Sequence, residues 1–271
     1  MSLAHSNGKT ALVTGGARGI GRAISHSLAA AGFNLVVHVR KETSAAQAEV
    51  ESLRAKYGIK AILVAADLND PSTIDGLFAA VDREFDRLDV LINNAGVENY
   101  HAAEDMPLAE WQHILQVNLT APFQCSQLAA QRMKANRRGG VIINISSIHD
   151  TVARKGIAHY CCAKAALKML TKVTALEWAE YGIRVVTLSP GAIETDMNRD
   201  AIEGFGRETF NSWIPAGRVG NTDEVGEVVA FLCDERASYI TGTELYIDGA
   251  YSINVVRQDD RPGRTALRMA G

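Results

Sequence analysis

A tyrosine and a lysine stand one helical turn apart in the segment Tyr160-Cys-Cys-Ala-Lys164. Residues four apart on a helix share a face, so the phenol and the amine are expected to be neighbours. A lysine cation beside a phenol favours the phenolate, which would make Tyr160 a usable acid and base near neutral pH. Ser147 follows the apolar run Val141–Ser146, which is typical of a strand that ends in a loop. Many helices carry such a pair on their surface, so this spacing predicts a catalytic role only when a second, independent motif supports it.

A glycine-rich segment near the N-terminus supplies that second signature. Lys9–Thr14 is a short run rich in β-branched residues, typical of a strand, and an amphipathic segment begins at Arg22. Between them stands Thr14-Gly-Gly-Ala-Arg-Gly-Ile-Gly21, with the spacing Gly-x-x-x-Gly-x-Gly. Glycines at such a turn let the backbone approach a pyrophosphate, and the helix N-terminus presents free N–H groups to it. The pattern predicts nucleotide binding; a capped helix after a glycine-rich turn is the alternative.

The end of the second predicted strand bears on the choice of cofactor. Asn34–Val39 is followed by Arg40-Lys41, with no acidic residue at the strand end to accept hydrogen bonds from the adenosine ribose of NAD. Arg18 and Arg40 are suited to pair with a 2′-phosphate, although each could equally be a solvated surface charge. The sequence therefore favours NADP, with use of both NADP and NAD as the alternative.

Composition and charge argue against several classes of function. The chain has 271 residues, of which 47% are hydrophobic, enough for one α/β domain with a sizeable core. A net charge of −3 argues against a nucleic-acid partner. No apolar stretch is long enough to predict a membrane span. The cysteines lack metal-ligand spacing and the N-terminus lacks a secretion signal, so we expect a cytoplasmic protein with no metal site.

Strand patterns alternate with helical patterns along most of the chain. The predicted strands are 9–14, 34–39, 60–65, 89–93, 140–145, 183–188 and 243–247. This alternation predicts a single-domain, Rossmann-type, doubly wound parallel sheet of about seven strands with helices on both faces. Ligands of such folds bind beyond the carboxyl ends of the strands. We expect one domain over 1–271, with 1–8 as a flexible N-terminus and 252–271 as a C-terminal extension.

Together these segments resemble the short-chain dehydrogenase/reductase family. The resemblance spans about Lys9 to Gly249 and is carried by the glycine-rich segment, Asn93-Asn-Ala-Gly96, Ser147, Tyr160-x-x-x-Lys164 and Pro190-Gly191. It implies hydride transfer between a substrate carbon and a nicotinamide. The catalytic residues that it implies are Asn118, Ser147, Tyr160 and Lys164. Ser147 would hydrogen-bond the reacting oxygen, Tyr160 would exchange its proton, and Lys164 would hold the phenolate and the nicotinamide ribose.

The sequence offers a physical reason for the predicted role of Asn118. Pro122 lies inside the long helical pattern Leu108–Asn136, and because proline has no N–H, the carbonyl of Asn118 loses its helical partner. The helix should kink there, and the free carbonyl could hold a water that links Lys164 to solvent. A kink that only improves packing is the alternative.

The family resemblance also implies a set of cofactor contacts. Asp67 with Leu68 would meet the adenine, and Thr195 would hold the carboxamide. The whole set is Thr14, Gly15, Arg18, Gly19, Ile20, Gly21, Arg40, Asp67, Leu68, Asn94, Ala95, Gly96, Tyr160, Lys164, Pro190, Gly191, Ile193 and Thr195. Asp67 could instead cap the helix that begins near Pro71.

Within the family, the chain looks most like the glucose 1-dehydrogenases. That likeness lies in Asn94–Asn99, Ser146–Asp150, Gly191–Asn198, Ile214–Gly217 and Ala237–Gly242. It implies that Glu98, His149 and Asn198, with Ser147 and Tyr160, contact a sugar. A carboxylate and an imidazole suit a polyhydroxylated substrate because both exchange hydrogen bonds with hydroxyls. In the alternative interpretation Glu98 is a surface charge and His149 caps or packs locally.

Three functions stay open at this stage. A sugar dehydrogenase is favoured, although Gly249-Ala250 stands where the sugar enzymes usually show Gly-Gly. A 3-oxoacyl-carrier-protein reductase, or another carbonyl reductase, would share the same general motifs. A nucleotide-binding regulator without catalysis is disfavoured, because every implied catalytic residue is retained. The small side chains of Cys161–Ala166 would let helices approach closely, and the family is commonly tetrameric through this helix, so we expect a homotetramer.

Overall fold

The computed structural model describes residues 8–254, without the side chains of Asp196, Met197, Asn198, Asp200 and Ala201. Over this range a seven-stranded sheet has the order β3-β2-β1-β4-β5-β6-β7, and every neighbouring pair is parallel. The strands are β1 (Thr10–Val13), β2 (Asn34–Val39), β3 (Ala61–Ala65), β4 (Val90–Asn93), β5 (Gly140–Ile145), β6 (Ile183–Pro190) and β7 (Glu244–Ile247). The predicted Rossmann-type parallel sheet is confirmed.

Helices occupy the segments between the strands. They are α1 (Gly19–Ala30), α2 (Ser44–Tyr57), α3 (Ser72–Glu84), α4 (Leu108–Leu115), α5 (Ala121–Asn136), α6 (Ala158–Trp178), α7 (Asp196–Phe205), α8 (Arg207–Ser212) and α9 (Thr222–Leu232). Short 3₁₀ turns such as Ile148–Asp150 lie in the loops.

The core forms two layers because both faces of the sheet are covered. In β1, Ala11 and Val13 pack with residues of α1, α2 and α9, whereas Leu12 packs with residues of α3, α5 and α6. Successive side chains of a strand point to opposite faces, so each strand must be apolar on both sides. This is why the strands stand out in the sequence as continuous apolar runs.

The helical pattern Leu108–Asn136 is one continuous helical run that contains a wide turn, because the backbone stays right-handed helical at both of its junctions. A π-helical turn, Gln116–Thr120, separates α4 from α5. Pro122 follows this turn, and because proline has no N–H, it cannot donate a helical bond to the carbonyl of Asn118 four residues earlier. The wide turn holds the fully buried Asn118, and the kink at this point stays a prediction.

Parallel pairing brings the carboxyl ends of the strands to one edge of the sheet. The loops after β1, β4 and β5 begin with Thr14, Asn94 and Ser146 at this edge. β6 runs past its predicted end, because Ser189 and Pro190 pair with Tyr246 and Ile247 of β7. The loop that begins at Gly191 thereby starts at the same edge.

Candidate active site

The turn between β1 and α1 is closely packed against the loop after β4. A Cβ atom on Gly21 would lie 2.1 Å from the Gly15 carbonyl oxygen and 2.5 Å from Asn94 Nδ2, so no larger residue fits. Asn94 Nδ2 also donates to the Thr14 carbonyl at 2.9 Å. Arg18 precedes α1 and gives it no side-chain cap, so the alternative of a capped helix is wrong. The uncapped N–H groups and the glycines fit the pyrophosphate of a dinucleotide.

Thr14 links this turn to the end of β4. Its Oγ1 donates to the Ile92 carbonyl and accepts from the backbone N–H groups of Asn94 and Ala95. Ile20, at the start of α1, packs its half-buried side chain against the core.

His38 braces the glycine turn, a role that the sequence analysis missed. Its Nδ1 accepts from the Gly15 N–H at 3.2 Å, and its Nε2–H donates to the Ala66 carbonyl at 2.9 Å. Burial lowers the pKa of His38, which keeps the ring neutral, as an Nδ1 acceptor requires. The signal was a histidine inside an otherwise apolar strand.

The two arginines predicted to meet a 2′-phosphate are exposed at the start of α1 and the end of β2. The side chains of Arg18 and Arg40 make no hydrogen bond or ion pair with any residue in the described part of the chain. Their charges are therefore available to an anionic group near the glycine turn.

Asp67 and Leu68 follow β3, as predicted. The Asp67 carboxylate accepts from the Asn69 N–H at 3.0 Å, and α3 receives no side-chain cap at Pro71. Asp70 instead binds Ser72, so the alternative that Asp67 caps this helix is wrong. Leu68 is buried and its carbonyl accepts from Gln116 Nε2.

The loop after β6 faces the glycine turn. A Cβ on Gly191 would lie 2.6 Å from Asp248 Cβ, which requires glycine next to Pro190. Ile193 is buried and pairs with Gly220. Thr195 precedes α7, and its methyl group lies 3.8 Å from where a Cβ on Gly19 would stand.

Ser147, Tyr160 and Lys164 come together beyond the end of β5. Ser147 caps the 3₁₀ turn after β5, where its Oγ accepts from the His149 N–H at 3.2 Å, and its hydroxyl acts to lower the pKa of the Tyr160 phenol. Tyr160 lies in the first turn of α6, and Lys164 Nζ lies 5.4 Å from the centre of its ring. The spacing argument thus places a hydroxyl, a phenol and an amine side by side.

Burial shifts the pKa of both titratable groups towards their neutral forms. It lowers the pKa of Lys164 to about 8, against the raising effect of Asp150 and Glu98. It raises the pKa of Tyr160, and the charge of Glu98 raises it further. Lys164 Nζ donates to the Ile145 carbonyl at 2.9 Å. Activation of the phenol by Lys164 and an oxidised nicotinamide stays a prediction, because in the free site burial is the largest influence on the pKa of Tyr160.

Asn118 fixes the loop after β4 beside Lys164. Its Nδ2 donates to the carbonyls of Val97 and Ile114 at 2.9 and 3.0 Å, and its Oδ1 accepts from the Val97 N–H at 3.3 Å. A Cβ on Gly96 would lie 2.8 Å from Asn118 Oδ1 and 3.8 Å from Lys164 Nζ. The asparagine and the lysine therefore flank Gly96; the relay through the Asn118 carbonyl stays a prediction.

Two of the predicted substrate residues lie on the loops around Ser147. Glu98 pairs with Arg154 at 3.2 Å. His149 Nδ1 donates to the Val152 carbonyl at 2.9 Å, so its Nε2 stays available to a ligand. Asn198 lies in α7, but its side chain is outside the described part.

His159 is a second residue that the sequence analysis missed. It is fully buried, its Nδ1 accepts from the Tyr160 N–H at 2.9 Å, and its Nε2–H donates to Asn99 Oδ1 at 2.7 Å. Asn99 in turn donates to Glu110 at 2.6 Å. This chain of bonds joins α4 to the backbone of Tyr160, and nothing in the local spacing announces it.

Known protein families and individual proteins are similar in sequence to this chain. The family model described as enoyl-(acyl carrier protein) reductase matches residues 15–252. The chain is 36% identical to 3β-hydroxysteroid dehydrogenase 1 of Eggerthella lenta over 91% of the chain and 94% of that protein. It is 35% identical to glucose 1-dehydrogenase 2 of Bacillus subtilis over 91% and 95%. It is 39% identical to the 3-oxoacyl-[acyl-carrier-protein] reductase of Escherichia coli over 89% and 96%.

Solved structures agree with the fold. An acetoin dehydrogenase from Enterobacter cloacae is 36% identical, with a TM-score of 0.84 over 92% of this chain and 97% of that one. A gluconate 5-dehydrogenase from Burkholderia cenocepacia, solved with NADP and tartrate, is 32% identical, with a TM-score of 0.86 over 92% and 97%. Since the family model and these relatives cover nearly all of the described residues, the chain belongs to the short-chain dehydrogenase/reductase family of NAD(P)-dependent oxidoreductases.

Proposed function

We propose that this oxidoreductase is an NADP-preferring sugar dehydrogenase that acts on a neutral, polyhydroxylated substrate. The observation that carries the proposal is the position of Glu98 and His149 on the two loops that flank Ser147 and Tyr160. A carboxylate accepts hydrogen bonds from sugar hydroxyls, and His149 Nε2 is available as a further acceptor because Nδ1 is bound to Val152.

In this proposal the side chains of the site orient the reacting hydroxyl and move its proton. Ser147 donates to the substrate oxygen, and Tyr160 takes the hydroxyl proton during oxidation. Lys164 holds the ribose that carries the nicotinamide, which supplies the hydride acceptor when bound. Asn118 keeps the loop at Gly96 in place beside the lysine.

The preference for NADP rests on charge at the adenosine end. The side chains of Arg18 and Arg40 are exposed and unpaired within residues 8–254. The buried His38 ring near them is neutral. Guanidinium groups bind a 2′-phosphate through charge-assisted hydrogen bonds.

A reductase of acyl thioesters is the second candidate. It is supported by the likeness to the carrier-protein reductase and by Arg154 and Lys155, which are exposed near the site and would suit an acidic carrier.

A homotetramer is supported by Met169, Val173 and Leu176, which are exposed along α6. No helix in the described part of the chain is long and apolar enough to cross a membrane. We keep cytoplasmic location as part of the proposal.

The proposal is tested by initial rates of NADP⁺ and NAD⁺ reduction with a panel of aldoses, beside NADPH oxidation with acetoacetyl thioester. Saturable aldose oxidation is expected, with a KM that rises about tenfold or more in Glu98→Gln and His149→Phe. In Tyr160→Phe, kcat should fall about 10²- to 10⁴-fold. In Tyr181→Phe, which changes a surface tyrosine, kcat should stay unchanged. Activity with the thioester alone would replace the sugar proposal by the second candidate.

A further inference from the structure

A cluster of polar side chains around the buried Asp150 carboxylate lies behind the residues proposed as catalytic. We call it the Asp150 cluster; its members are Asp150, Lys168, Ser189, Glu244 and Tyr246. The side chain of Asp150 is 0% exposed and that of Glu244 is 10% exposed, with Lys168 Nζ bonded to Glu244 between them and 3.8 Å from Asp150. These residues come from the loop after β5, from α6, from β6 and from β7, so the cluster joins four parts of the fold.

The position of the Ser189 hydroxyl implies that one of the two carboxyl groups, Asp150 or Glu244, is protonated. Ser189 Oγ lies 2.7 Å from Asp150 Oδ2 and 2.8 Å from Glu244 Oε1. A hydroxyl has one hydrogen to donate, so it satisfies only one of two ionised carboxylates. The other carboxyl group must carry a proton and donate it to Ser189, since two bare oxygens would repel.

The remaining hydrogen bonds favour that proton on Glu244 Oε1, from which it is donated to Ser189 while Glu244 Oε2 accepts from the Lys168 ammonium. Besides Ser189, the Asp150 carboxylate accepts from Ser146 at 2.9 Å and from one of Thr151 and Tyr246, each at 3.1 Å, because these two hydroxyls also bond each other at 2.9 Å. Burial acts to raise the pKa of Asp150, but Glu244, Ser189 and Ser146, with the charge of Lys168, bring it below its usual range. Burial and the bond to Asp150 raise the pKa of Glu244. Asp150 is therefore the anion of the pair.

The cluster is connected to the catalytic residues through one short segment. The Ile145 carbonyl accepts from Lys164 Nζ, Ser146 donates to Asp150, and Ser147 follows directly. The negative charge of Asp150 also opposes the effect of burial on Lys164. One carboxylate thus holds the segment that carries Ser147 and supplies charge to the lysine.

We propose that Asp150 is a positioning residue of the hydride-transfer reaction, an anion that stabilises the Lys164 cation while a proton resident on Glu244 keeps the Asp150 cluster electrically neutral. The inference rests on the proposed catalytic role of Lys164 but not on the identity of the substrate. The groups that face Lys164 are Tyr160, Asp150 and Glu98, so only these need to be kept or changed in a test.

The test is NMR of the full chain labelled with ¹³Cε-lysine, which needs no substrate. Lys164 should titrate near pH 8, and its resonance is identified by its loss in Lys164→Met. In Asp150→Asn the midpoint should fall by about 0.5–1 unit, because the attractive charge is gone. In Glu244→Gln, which replaces a neutral carboxyl by a neutral amide, and in the exposed control Glu177→Gln, it should stay in place. An unmoved midpoint in Asp150→Asn, or an equal fall in Glu244→Gln, would overturn the proposal.

A second measurement covers the case in which Asp150→Asn does not fold. The infrared band of a protonated carboxyl group should be present in the wild type at pH 7 and absent from Glu244→Gln. Its absence from the wild type would show two ionised carboxylates and would equally overturn the proposal. If both measurements succeed while no aldose is oxidised, the sugar proposal fails and the positioning role of Asp150 stands.

Discussion

At the scale of single residues, the site holds two buried titratable groups, the Lys164 amine and the Tyr160 phenol, side by side. Burial acts against both the ammonium of Lys164 and the phenolate of Tyr160, so the phenol of the free site stays protonated near neutral pH. An oxidised nicotinamide brings a positive charge, which opposes the effect of burial on the phenol. Proton transfer at Tyr160 is therefore expected to depend on cofactor binding and not on Lys164 alone.

The shifted pKa of Lys164 predicts a pH dependence of folding stability. Its value of about 8 in the folded chain lies below the ordinary 10.5 of an unfolded lysine. Between these values the unfolded chain binds more protons, so stability rises with pH, by up to about 3 kcal/mol from this group. Urea unfolding from pH 7 to pH 10.5 should show the wild type gaining stability relative to Lys164→Met. Parallel curves for the two proteins would contradict the shift.

At the scale of elements, the strands could be predicted because burial on both faces makes them apolar throughout. The π-helical turn Gln116–Thr120 could not, because apolar spacing does not distinguish a wide turn from an ordinary one. Asp67 and Asp70 both precede α3, and spacing alone did not show that Asp70 binds Ser72. Ala250 adopts a φ of +68°, a left-handed conformation that its side chain does not announce.

The first turn of α6 is predicted to depend on His159. In His159→Phe the Tyr160 N–H and Asn99 Oδ1 lose their partner, which should cost about 1–3 kcal/mol of unfolding free energy and lower turnover. His101→Phe is the matched control, because that ring packs edge-on against His159 at 6.5 Å. His159→Asn, whose amide oxygen can accept from Tyr160, should restore part of the loss. Urea unfolding and kcat measure both effects; equal losses in the two phenylalanine variants would refute the role.

At the scale of the whole molecule, the sheet order decides which distant residues meet. Asp150 and Glu244 lie far apart in the sequence and meet because β5, β6 and β7 are neighbours. No local pattern announces such a pair, since each member alone looks like an ordinary polar residue. The glycine turn and Tyr160–Lys164 could be found from the sequence because their partners lie within one turn. The extent of the domain over 1–271 stays a prediction, and 1–7 and 255–271 lie outside the described residues.

Cofactor preference should be visible as stabilisation of the folded chain. NADP⁺ at a hundredfold excess over its Kd should add about 2.7 kcal/mol to the unfolding free energy. Arg40→Ala and Arg18→Ala should weaken NADP⁺ binding about tenfold and leave NAD⁺ binding unchanged. Lys172→Ala, exposed on α6, should change neither. Thermal unfolding with each nucleotide measures this, and equal weakening of both nucleotides would show that the arginines do not read the 2′-phosphate.

The brace formed by His38 has a consequence for protein engineering. A designer who wants to convert this enzyme to NAD would place an aspartate at the end of β2, and position 38 offers itself because it is central and polar. An aspartate there would remove the imidazole that bonds both the Gly15 N–H and the Ala66 carbonyl, and the glycine turn would lose the support that fixes its shape. Cofactor reversal should therefore be attempted at Val39 or Arg40, with His38 left untouched.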